Sequence, residues 1–202
     1  MDADLRFALR GGARPRRPSP ADLACVARQT GRRDAAQLHP VARVVAVCPH
    51  GCAAAVECLP YDGSGRPFPT LFYATCPTLV EAVHAVEGSG GVRRTERLVG
   101  AAGDPELIRS LREAERYERR RRRALAAGRG AAGATRARDG GAVLSAGIGG
   151  PAGRGLKCLH CHAAHALARP GYLLGRRVLE GAAVARGSLW CADARCLPWM
   201  RP

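Results

Sequence analysis

The sequence predicts an α+β domain, a small antiparallel sheet of about three strands packed with three to four helices. Three observations lead there. Short β-branched runs stand close together between residues 41 and 75. Helix starts with proline in the first turn flank them, and the stretch 103–128 carries an apolar stripe of helical period.

Residues 1–19 are charged, broken by proline, and read as a disordered arm. "SPADLACVARQTGR" begins a helix, with Ser19 as N-cap, Pro20 at the first position, and Leu23, Val26 and Ala27 on one side. "VARVVAV" (41–47) is a strand, "AAAVECL" (53–59) a weaker second one, and "PHGC" between them suits a tight connection. "FPTLFYAT" (68–75) is the third strand. "CPTLVEAVHAVEG" then starts a helix at Pro77 and stops it at Gly88. Asp104 and Pro105 open the longest helix, whose stripe of Leu107, Ile108, Leu111 and Ala114 fades after Tyr117. Residues 128–155 are rich in Gly and Ala and read as a mobile loop, and a last helix runs from about Leu156 to Ala168. The expected organisation is therefore an arm (1–19), one domain (20–170) and a C-terminal extension (171–202).

Only 4% of the 202 residues are aromatic, so Leu, Val and Ala must fill the core. The net charge of +15 would suggest a polyanion partner, but of 32 basic residues only Lys157 is lysine. That skew fits a GC-rich coding sequence, in which arginine stands wherever a positive charge is tolerated. Arg119, Arg120, Arg121, Arg122 and Arg123 read as the solvated end of the long helix, where positive charge suits the dipole. Nucleic-acid binding by the basic helix 112–123 is the weakest of three functional readings. No run approaches the ~18 apolar residues of a membrane span, and no secretory apolar region opens the chain. Both points favour a cytoplasmic protein, where clustered cysteines bind metal more often than they pair.

Chemistry concentrates in "KCLHCHAAH" (157–165). On a helix at ~100° per residue, Cys158, Cys161, His162 and His165 share one face, with His160 on the far side of the apolar one. A β-meander would bring Cys48 and Cys52, in the first turn, to the edge where Cys76 follows the third strand. Thiolate and imidazole are zinc ligands, and thiolates also hold iron–sulfur clusters. The first reading is a zinc or iron–sulfur protein with a structural or regulatory role and room for a protein partner. The second is a thiol enzyme centred on Cys158, with Lys157 and His160 lowering its pKa at a helix N-terminus. Cys25 and Cys58 read as core residues, Cys191 and Cys196 as incidental, and His84 as a packed histidine.

The segments "ADLACVARQTGR", "VCPHG", "PFPTLFYATCP", "LSAGIGG" and "LKCLHCHAAHALA" together resemble the actinobacterial domain-of-unknown-function family 501, over about residues 21–170. The resemblance implies a small cytosolic protein and no established activity. It carries over Cys48, Pro49, Gly51, Pro67 to Thr70, Pro77, Lys157, Cys158, Leu159, His160 and His165. It also covers Cys76, at a position that is Cys or His in relatives. Cys52, Cys161, His162 and the tail cysteines lie outside that pattern. The metal-ligand set so implied is Cys48, Cys76 and Cys158 with His160 or His165, and Cys52, Cys161, His162 and Lys157 are possible additions. A set that exchanges Cys and His favours zinc. His165 shares a helix face with Cys158, whereas His160 requires the helix to start later.

Overall fold

In the computed structural model, which describes residues 3–9, 14–128, 137–149 and 156–200, the β-branched runs form the expected meander. Strand β1 (Val41–Val47) pairs antiparallel with β2 (Ala53–Cys58), and β2 pairs antiparallel with β3 (Phe72–Ala74). The first connection closes tightly, because the Cys48 N–H donates to the Cys52 carbonyl at 2.9 Å and Gly51 takes φ +81°. Strand β3 is shorter than the sequence suggests. Pro67 and Pro69 cannot donate to a ladder, so pairing begins only past them.

Every residue of β2 is buried, which requires cover on both faces. One face meets α2 (Pro20–Gln29) through a small cluster of Val26, Val44, Ala53, Val56 and Cys58. The other supports the main core, to which α3 (Pro77–Gly88), α6 (Leu159–Ala168) and α7 (Leu173–Arg186) contribute. Helices α1 (Ala3–Leu9), α4 (Gly91–Val99) and α5 (Pro105–Ala127) complete seven among the described residues, against the three to four expected. The anticipated caps form. Ser19 and Asp22 make a reciprocal capping box on α2, and Asp104 accepts the Glu106 and Leu107 N–H groups on α5.

Two boundaries differ from the sequence reading. Within the expected N-terminal arm, Leu5 and Ala8 of α1 are buried and Phe7 packs edge-on to Trp190 at 6.0 Å. Arg16 exchanges two backbone hydrogen bonds with Val44. The arginines around these few apolar residues mask them in a sequence scan. Nor are the described residues of the expected C-terminal extension, 171–200, an appendage. Leu174, Leu179 and Ala182 of α7 are fully buried, and a Cβ on Gly175 would stand 2.2 Å from the His162 carbonyl oxygen, so α6 and α7 touch backbone to backbone. Of the expected loop, 137–149 docks through Val143 and Ile148, whereas 129–136 and 150–155 lie outside the described residues.

The arginine run also departs from expectation. Arg120 and Arg123 are exposed, and Arg119 pairs loosely with Glu115 at 3.8 Å. Arg121 instead clamps the buried Glu57 of β2 through bonds of 2.6 and 2.8 Å. Arg122 is wholly buried, with Glu118 at 2.5 Å and the carbonyls of Ala146 and Pro69 at 2.7 and 2.8 Å. The 3.6-residue period turns two of the five guanidiniums into the protein, where fixed acceptors hold them.

Candidate metal centre

Helix α6 starts at Leu159 with Cys158 at its N-cap, a turn later than the sequence suggests. The later start changes which histidine accompanies Cys158. Glu87, in the last turn of α3, accepts the Leu159 N–H at 2.6 Å, a carboxylate placed on the positive end of α6. His160 then reaches α3 as well, and its Nε2 lies 3.0 Å from the Val80 carbonyl. A carbonyl only accepts, so Nε2 carries the proton and the neutral ring offers its lone pair at Nδ1.

That Nδ1 stands 3.3 Å from Glu87 Oε1 and 3.6 Å from Cys158 Sγ. His84 lies one turn before Glu87 on α3. One ligand atom from each of His84, Glu87 and His160 falls within 4.8 Å of the others. His84 is exposed, whereas Glu87, Cys158 and His160 are half-buried, so the group sits at the surface in the angle between α3 and α6.

The electrostatics are those of an anion-rich corner. A hydrogen bond from the Cys161 thiol, reinforced by His160, pulls Cys158 well below the usual thiol range and favours its thiolate form. Cys161 moves the other way, because it faces that thiolate and is buried. For His160, burial works against protonation, but Cys158 and then Glu87 outweigh it and raise the pKa.

The remaining expected ligands fall into other groups. Cys48, Cys52 and Cys76 have Cys25 and Cys196 among their neighbours at one end of the sheet, whereas the groups acting on Cys158 are Cys161 and His160. Burial pushes Cys52 up to about 11 and Cys76 up to about 12, and there they pack as small apolar groups. Cys196, expected to be incidental, is buried, and its carbonyl accepts from the Cys25 thiol at 3.7 Å. Cys25 and Cys58 are core residues as expected. His165 is committed to Glu118 at 2.8 Å, and His162 to the Tyr172 hydroxyl at 2.6 Å. Burial also lowers His162 to about 4, so its ring is neutral. Lys157 is exposed. Of the present group, His84 reads from the sequence as a packed histidine but is exposed at the end of α3 beside α6, and Glu87 is not singled out there. Their signal is the spacing His-x-x-Glu on one helix face, which reads equally well as solvated surface.

The family model described as "Protein of unknown function (DUF501)" matches residues 44–180, more than half of the chain. The chain belongs to the DUF501 family. The match runs from within β1 to within α7, so it contains part of β1, all of β2, β3, α3 and α6 with His84, Glu87, Cys158 and His160, and more than half of α7. It confirms the resemblance from residue 44 onward, not over 21–43, and extends it past residue 170, in agreement with the burial of α7. No curated protein and no solved structure matches this DUF501 chain.

Proposed function

We propose that this DUF501 protein binds one zinc ion through Cys158, His160, Glu87 and His84, and that the ion ties the N-terminus of α6 to α3. The separations around His160 Nδ1 carry the proposal. In a tetrahedral site with Zn–N and Zn–O of ~2.1 Å and Zn–S of ~2.3 Å, neighbouring N and O ligands stand ~3.4 Å apart and N and S ligands ~3.6 Å. The present spacings are 3.3 and 3.6 Å. The second nitrogen of His160 is held by a backbone carbonyl, the arrangement that orients a metal-bound imidazole. One sulfur, two nitrogens and one oxygen suit zinc better than an iron–sulfur cluster, which takes thiolates. A site that bridges two helices near the surface fits a structural or regulatory role.

The test is metal content of protein purified without a histidine tag. About one zinc per chain is expected in the wild type. His84→Ala, a change at an exposed position, should weaken zinc binding by at least about tenfold while leaving the metal-free fold intact. Full retention of zinc in both His84→Ala and His160→Ala would refute the assignment.

A second reading rests on the same contacts, with a proton in place of the metal. A Cys158 thiolate beside a His160 imidazolium is an activated nucleophile. The position of His84 favours the metal, since a second imidazole gains nothing beside an imidazolium. Alkylation separates the two. Zinc should slow the reaction of Cys158 with iodoacetamide, whereas a proton-linked pair would react equally fast with or without zinc.

A further inference from the structure

A cavity of about 330 Å³ opens between α5 and the turn that joins α6 to α7, away from the four grouped residues. Its walls include Ser110 and Tyr117 of α5, His165 near the end of α6, and Arg169 beyond it. The volume suits a small metabolite.

His165 is the deepest polar group there, 2% exposed. Its Nδ1 meets Glu118 Oε1 at 2.8 Å, and the other carboxylate oxygen takes the Arg122 guanidinium at 2.5 Å. A carboxylate already paired with arginine accepts, so Nδ1 carries the proton and Nε2 is left as a lone pair for the cavity. The ring is fixed from three sides, by Phe72 at 5.2 Å, Tyr172 at 4.8 Å and Tyr117 at 6.0 Å. Packing alone does not account for this arrangement. A buried Arg–Glu–His chain is commonly less stable than apolar residues of the same volume, whereas it does orient an imidazole.

The rim carries both signs of charge. Arg169 is exposed, with its guanidinium 4.5 Å from the centroid of the Tyr117 ring, and Glu113 is exposed on the same opening. A ligand that satisfies the rim and the floor together has a carboxylate for Arg169, an ammonium for Glu113 and a hydroxyl proton for His165 Nε2. We propose that the cavity binds a small zwitterion bearing a hydroxyl, of the class of the hydroxylated free amino acids, with Tyr117 against its apolar body.

The probes are L-tyrosine and L-phenylalanine, titrated calorimetrically against the full chain with its metal content measured in parallel. L-tyrosine should bind. L-phenylalanine, which leaves His165 Nε2 without a donor, should bind at least about tenfold more weakly. Arg169→Gln, at an exposed position, should weaken L-tyrosine binding by a similar factor. His165→Gln should do so with its far-ultraviolet circular dichroism unchanged; if that variant does not fold, Arg169→Gln and the phenylalanine comparison decide. Neither change should alter zinc content, so the outcome is independent of the metal centre. Absence of L-tyrosine binding at millimolar concentration, equal binding of the two amino acids, or an Arg169→Gln protein that binds as the wild type would each overturn the proposal.

Discussion

Single residues decide several features of this protein, and Arg122 is the clearest. In the sequence it is the fourth of five arginines and indistinguishable from its neighbours. In the fold it is wholly buried, with its charge met by Glu118 and by backbone carbonyls. Removing one member of such a pair strands the other, which costs about 3–5 kcal/mol. Arg122→Met should therefore lower unfolding free energy by that amount in urea denaturation, whereas Arg123→Met should stay within about 0.5 kcal/mol of the wild type. Asp22 offers a pH test at the same scale. The Arg16 guanidinium, at 2.5 and 2.8 Å, and then Ser19 hold its carboxyl down to about 2. The folded pKa lies below the ordinary value of ~3.9, so the stabilisation is complete above that pH. It disappears as pH falls from about 4 to 2. The loss should be about 1–2 kcal/mol, reduced because Arg16 is 40% exposed, and Asp22→Ala should remove this part of the acid dependence.

Elements were legible in proportion to how local their signals are. Ser19 with Pro20 and Asp104 with Pro105 placed α2 and α5 correctly, and Pro77 placed α3, because such start signals depend on three or four adjacent residues. The start of α6 was not legible. It is set by Glu87, 72 positions away, whose carboxylate accepts the Leu159 N–H. The same long-range contact selects His160 over His165 as the partner of Cys158, so the error in the helix start and the open choice of histidine have one cause. Gly175 is another residue whose role only packing reveals. A methyl group there would meet the His162 carbonyl oxygen at 2.2 Å, and Gly175→Ala should destabilise by about 1–3 kcal/mol, although alanine is the better helix former. A thermal melt that rises in Gly175→Ala would show that α6 and α7 are not in backbone contact.

At the scale of the molecule, the sheet order and the gathering of Cys48, Cys52 and Cys76 followed from the meander alone. What the meander could not supply was the position of α6 along the sheet. That position places Cys158 beside His160 at the end of α6 that meets α3. The core also extends further along the chain than composition suggested, since α7 contributes Leu174, Val178, Leu179 and Ala182. A chain ending at residue 170 should thus fail to fold cooperatively, and a sharp two-state transition from such a chain would contradict this view of the core.

The most direct measurement on the metal centre is zinc K-edge X-ray absorption on the zinc-loaded full chain. One sulfur at ~2.3 Å with three nitrogen or oxygen ligands at ~2.0–2.1 Å is the expected shell. A shell of three or four sulfurs would place the ion at Cys25, Cys48, Cys52, Cys76 and Cys196 instead, and failure to load stoichiometric zinc would leave Cys158 and His160 as a thiolate pair without a metal.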